Sequence, residues 1–176
     1  MLAAAQELLS DGGLDGLTMR SLAERLGVTP NALYSHVASK TALIDGLLDS
    51  ALAPVQTPDS ETSDPLGGLH LLMASTYDVL LSEPDLVPLY LARRGARGPV
   101  ARHLGDVVLG LLAAGEVRGD RAQEALRVLI VYTIGFAAFA AQPPLDPGDP
   151  PLPGAAELRG NFESGLRWLL AGIIAS

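Results

Sequence analysis

Between Thr18 and Lys40 the chain gathers side chains suited to specific hydrogen bonding: Thr18, Arg20, Thr29, Asn31, Tyr34, His36 and Lys40. Asparagine can bond an adenine edge through two hydrogen bonds at once, and arginine a guanine edge likewise, so this is chemistry of recognition. A set for making or breaking bonds is missing. The 176 residues contain no cysteine, which excludes disulfides and thiolate metal sites, and no Gly-x-Ser-x-Gly elbow, phosphate loop or zinc signature occurs. No catalytic residue, cofactor or metal is expected, and no enzyme. His70 and His103 lack an i+3 or i+4 neighbour that completes a known metal site.

Two short helices separated by a tight turn must position these residues. The first opens at Thr18, an N-cap, and its apolar residues Met19, Leu22, Ala23 and Leu26 fall at i, i+3, i+4 and i+7 on one buried face. Gly27 stands where a helix C-terminus needs a left-handed residue, and Thr29-Pro30 supplies a second cap followed by proline at the first helical position. The second helix buries Leu33 and Val37 and leaves Asn31, Ala32, Tyr34, Ser35 and His36 on or beside the opposite face. This is the helix-turn-helix arrangement, whose second helix enters the major groove of DNA. By bare spacing alone, an ordinary helical hairpin fits as well.

The residues themselves add to the spacing. From about Leu2 through Leu48, AAAQELLSDGGLDGLTMRSLAERLGV followed by NALYSHVASKTALID resembles the N-terminal domain of the TetR family of transcriptional regulators. The resemblance implies an all-α fold of about nine helices: a three-helix DNA-binding domain with a helix-turn-helix, then a helical ligand-binding and dimerisation domain. It assigns base-edge contact to Thr29, Asn31 and Ala32, with Arg20 reaching over from the preceding helix. Tyr34, His36, Lys40 and the helix start at Thr18 align with positions that hold phosphates. It implies a homodimer through the last two helices, whose readers meet a near-palindromic double-stranded DNA operator roughly 34 Å apart. A small-molecule effector would release this repressor. Family members carry a basic arm before the first helix, and here that arm is missing. Either the true start lies upstream, or the protein binds with fewer phosphate contacts.

Net charge of -8 argues against non-specific coating of nucleic acid. Residues 1–53 hold Arg20, Arg25 and Lys40 against Glu7, Asp11, Asp15, Glu24, Asp45 and Asp49, so a reader here depends on where its cations sit. The alternative is a ligand- or partner-binding helical dimer of the same fold without productive DNA binding. Gln6-Glu7 interrupts the apolar start and no basic segment precedes it, so a cytoplasmic protein without a membrane partner is expected.

The remaining elements follow from caps and periods. Helix one runs from near Met1 to about Ser10 on a stripe of Leu2, Ala5, Leu8 and Leu9, and Gly12-Gly13 end it. Ser39 opens a fourth helix to about Ala53, with Leu43, Leu47, Leu48 and Ala51 inward and Asp45 and Asp49 solvated. Residues 54–65 carry three acids, no base and three prolines, an exposed linker between a reader of residues 1–53 and a regulatory part of residues 66–176. Asp64-Pro65 starts the next helix, on a stripe of Leu66, Leu69, Leu72, Met73, Thr76, Tyr77 and Leu80. Pro84 and Pro88 mark a short broken helix ending at Arg93-Arg94-Gly95, and Pro99 opens another that Gly115 stops. The uncharged run Val128 to Ala141 is short of the ~20 residues that span a bilayer, and is read as a helix buried by protein all round, one face against another subunit. QPPLDPGDPPLPG is a stiff loop, and the last helix, about Ala155 to Ile174, shows Leu158, Phe162, Leu166, Leu169, Leu170 and Ile173, with Arg159, Glu163 and Arg167 on its flank.

By resemblance, the middle helices enclose the effector cavity. Its candidate linings are His70, Tyr77, Tyr90, His103, Tyr132, Phe136 and Phe139, although aromatics at helical spacing serve equally as core. Arg93, Arg94 and Arg97 either receive an anionic effector or form a solvated loop.

Overall fold

A computed structural model describes residues 1–59, 62–142 and 153–175 of the protein. Among the described residues are nine α-helices and one 3-10 turn, and no strand. α1 (Leu2–Gly16) passes the stop expected near Ser10: it breaks at Gly13, where φ is 62° and ψ -164°, and one further turn reaches Gly16. α2 (Met19–Leu26) begins with a reciprocal cap, in which the Thr18 hydroxyl accepts from the Ser21 N–H and the Ser21 hydroxyl accepts from the Thr18 N–H. It ends at Gly27, whose φ of 66° and ψ of 29° a residue without Cβ adopts freely. α3 (Pro30–Tyr34) starts on the Thr29 cap and α4 (Lys40–Ala51) on the Ser39 cap.

These four helices close on Ala5, Leu8, Leu9, Leu17, Leu22 and Leu33, with Val37, Leu43 and Leu47 beneath. Leu26 is exposed, contrary to expectation, because it is the last residue of α2 and lies beyond the inward pair Leu22 and Ala23. The stretch read as an exposed linker is partly docked. Val55 is buried, and the Gln56 N–H donates to the Ser75 hydroxyl at 2.8 Å.

α5 (Pro65–Ser82) starts on the Asp64 carboxylate with Pro65 in the first turn, and α7, α8 and α9 pack on it. Leu66 of its stripe is exposed, while Leu69, Leu72, Met73, Tyr77 and Leu80 are buried. A 3-10 turn at Pro84–Leu86 leads into α6 (Val87–Arg93), and α7 (Pro99–Ala114), α8 (Gly119–Ala140) and α9 (Ala155–Ala175) follow. α8 has 22 residues, so the helix extends well before the uncharged run, and by length and composition it is long enough to cross a membrane. Only one side of it is buried by this chain, along Ala122, Ala125, Leu129, Thr133 and Ala137. Val131 at 71% and Trp168 of α9 at 76% stand exposed, with Val128 and Phe139 also outside. The proline-rich loop lies largely outside the described residues.

Candidate nucleic-acid interface and effector cavity

α3 ends at Tyr34, short of the expected helix, so Leu33 alone anchors it while His36 and the buried Val37 stand in the turn that follows. Asn31, Ala32, Tyr34 and His36 are exposed, as are Thr18, Arg20 and Thr29, while Lys40 is half-buried. Both threonines are engaged in starting their helices, the Thr29 hydroxyl accepting from the Ala32 N–H at 3.3 Å. The side chains of Asn31, Tyr34 and His36 have no hydrogen-bond partner among the described residues, which leaves them available to a ligand.

The cations are differently placed. Arg20 Nε donates to Glu24 at 3.0 Å, and Lys40 Nζ donates to the Leu14 carbonyl at 3.0 Å, joining the start of α4 to the last turn of α1. Arg25 bridges Asp11 at 2.9 Å and Glu7 at 3.0 Å, and those bonds, Asp11 first, raise its pKa. Each cation of residues 1–53 therefore has a protein acceptor.

Behind α3, on α4, the two acids expected in solvent are both used. Asp45 receives Arg93 on both oxygens, each at 2.8 Å, and this bond holds its carboxyl below the usual range. Asp49 is only 7% exposed and accepts the N–H of Ala101 at 2.9 Å and of Val100 at 3.2 Å. It thereby caps α7, whose own N-cap position is Gly98 and offers no side chain. A Cβ at Gly98 would lie 2.1 Å from the Asp49 Cγ, so this approach requires glycine. The Tyr90 hydroxyl donates to the Leu48 carbonyl at 2.5 Å, and burial pushes the phenol pKa up. On α1, Gln6 donates to Glu83 at 2.5 Å and Ser10 to Asp85 at 3.0 Å. The solvated reading failed because the partners lie about fifty residues away in sequence and no local pattern reveals them. One signal existed: a helix opening on Gly98-Pro99 lacks a cap of its own.

A cavity of about 140 Å³ lies between α5, α6, α7 and α8, its apolar wall including Leu72, Met73, Leu104, Val108 and Ile134. Of the aromatic and histidine candidates, Tyr90 lines it, together with Leu52 at the end of α4 and Ala101 of α7, which sequence reasoning did not single out. Tyr77 is buried and stacks on Phe162 with ring centres 4.2 Å apart, its hydroxyl unpartnered among the described residues. Tyr132 donates to the Phe162 carbonyl at 2.8 Å, and its ring lies 4.8 Å from that of Phe136. Both line an open groove with Trp168 on the α8–α9 face instead. His103 and Phe139 are exposed, and His70 is half-buried with Nε2 unpartnered among the described residues. Of the arginines, Arg93 is occupied by Asp45, Arg97 is exposed, and Arg94 lines the cavity.

Residues 1–47 match the family model described as bacterial regulatory proteins, tetR family. Tetracycline repressor protein class A from transposon 1721 of Escherichia coli is 36% identical over 138 residues, 77% of this chain and 62% of that relative. The chain spans under two thirds of the length of the curated relatives it matches. Among solved structures, a single-residue variant of TetR from Acinetobacter baumannii AYE in complex with minocycline superposes with a TM-score of 0.79 at 31% identity, covering 97% of this chain and 92% of that one. BioQ with its natural double-stranded DNA operator gives 0.76 at 28% identity, covering 99% and 96%. With the helix-turn-helix, its caps and the whole helical architecture in agreement, the chain belongs to the tetR family of bacterial regulatory proteins.

Proposed function

We propose that this protein is a ligand-responsive transcriptional regulator, a cytoplasmic repressor that binds a near-palindromic double-stranded DNA operator as a homodimer and leaves it when a small molecule fills the cavity. It is no enzyme. Residues 1–53 are the reader, 54–65 the linker, and 66–176 the part that binds effector and partner. One observation carries the reading: α4, the last helix of the reader, is fastened through Leu48 to Tyr90 and through Asp49 to the Ala101 N–H, and both Tyr90 and Ala101 line the cavity. A ligand that favours one arrangement of those walls shifts α4 by its differential affinity, and tight binding alone would do nothing. Structures of relatives holding minocycline and double-stranded DNA support both halves of the assignment.

On the DNA side, Asn31 reads a base edge, with Thr29, Ala32 and Arg20 beside it, while Thr18, Tyr34, His36 and Lys40 hold phosphates. The exposed Val128, Val131 and Phe139 of α8 and Trp168 of α9 meet their own copies across a two-fold axis. Asn31→Ala will cost roughly 1–3 kcal/mol at one base pair of the half-site and relax preference there, whereas Tyr34→Ala or Lys40→Ala will weaken binding evenly across sequences. Anisotropy titrations on half-site variants check this, and equal affinity of the Asn31 variant for every half-site contradicts base reading. A second reading, a ligand- or partner-binding dimer without productive DNA contact, is favoured by the pairing of Arg20, Arg25 and Lys40 with protein acceptors.

A further inference from the structure

We propose that the cavity takes a small monoanion with an apolar body, a carboxylate on one ring or on a chain of about six carbons, its head paired with Arg94 at the mouth. The assignment rests on the effector-site reading above and names the ligand class. Its size follows from volume. At about 140 Å³ the space is close to an engineered apolar cavity of ~150 Å³ that stays dry and accepts benzene.

Among the described residues, the interior has no side-chain hydroxyl donor to spare. Tyr90 spends its hydroxyl proton on Leu48, Thr76 donates to the Leu72 carbonyl at 2.8 Å, and Thr133 donates to the Met73 sulfur at 3.6 Å. An acceptor carried deep into this space loses its water and gains nothing, which selects against ligands polar throughout. Among the described residues, the one charged side chain in the lining is Arg94, and no carboxylate stands there. Arg94 and Ile130 are also the lining residues that are exposed, which sets the mouth between them. Arg94 occupies the left-handed position after α6, at φ 58° and ψ 46°, where glycine is usual. Its neighbour Arg93 is bound to Asp45 on both oxygens, whereas the Arg94 guanidinium has no hydrogen bond or ion pair among the described residues. It is free to make a charge-assisted bond with a carboxylate.

The test is a calorimetric titration of the folded protein with benzoate and hexanoate, and with benzyl alcohol, hexan-1-ol and benzylamine as matched neutral and cationic shapes. Variants are Arg94→Gly, which suits the left-handed backbone and so keeps the fold, Arg94→Lys, and Gly105→Leu. Gly105 lines the cavity and a Cβ there meets nothing within 4 Å, so a leucine fills the space without collision at its root. Expected are binding of both acids, alcohols weaker by about tenfold or more, a similar loss in Arg94→Gly, recovery in Arg94→Lys, and no binding in Gly105→Leu. Alcohols or the amine binding as tightly as the acids, unchanged acid binding in Arg94→Gly, or no acid binding at all overturns the assignment. Operator binding is followed in the same samples. Acids that bind without releasing the operator contradict the regulatory reading and leave the ligand class standing, while release by the amine alone does the reverse.

Discussion

The N-terminal bundle holds charge in opposite ways on its two sides. Outside, Arg20 and Glu24 pair at 3.0 Å with 86% and 67% of their side chains exposed, an arrangement worth little to stability and readily exchanged for a phosphate. Inside, Asp49 is buried against two backbone N–H groups, and Arg93 and Asp45 form a two-pronged pair with 30% and 31% of their side chains exposed. The outer charges are thus free to change partners, and the inner ones fasten α4 to the cavity wall. In the function proposed above, recognition and control are separated by the thickness of one small bundle.

Breaking the inner side should have the largest effect. Asp49→Ala strips the cap from α7 and leaves two partly buried N–H groups unpaired, which will lower stability by about 1–3 kcal/mol in urea unfolding. Gly98→Ala should reproduce that loss from the other partner, because its Cβ collides with the same carboxylate. Tyr90→Phe removes one buried hydrogen bond and will cost about 1 kcal/mol, with a shift in the effector concentration that releases the operator.

The Asp45–Arg93 pair gives the inner side a pH dependence. Arg93 lowers the folded-state pKa of Asp45 below 3.8, so the stabilisation is complete above that value and is lost as pH falls through the lower, folded value. Between those limits the parent should lose stability more steeply than Asp45→Asn, and superimposable unfolding profiles would show that the pair contributes nothing. The smallest effect belongs outside. Glu24→Gln should change stability by no more than about 0.5 kcal/mol. By freeing Arg20 it should also tighten operator binding and steepen the salt dependence by about one phosphate contact.

What was legible in the sequence was local. The caps at Thr18, Thr29, Ser39 and Asp64, the left-handed Gly27 and the helix opening at Pro99 all act within a few residues, and each stands where the residue types place it. Asp45 and Asp49 were read as solvated because one-turn spacing suggests like-charge repulsion, and only the fold brings Arg93 and the start of α7 to them. The cavity wall shows the same limit. Tyr77 and Phe162 satisfy helical periodicity by stacking on each other in the core, whereas Ala101 and Thr133 line the cavity with no aromatic signal at all. On α8, composition suggested burial all round, and the exposed Val131 marks the side this chain leaves uncovered.

The most direct measurement is a footprint of the folded, dimeric protein over the promoter beside its own coding region at low salt, with and without benzoate. Protection should cover two half-sites whose centres are one helical turn, roughly 34 Å, apart, should vanish with benzoate, and should persist with benzoate in Gly105→Leu. A folded dimer that protects no duplex under those conditions would contradict the assignment of α3 as a reader of DNA.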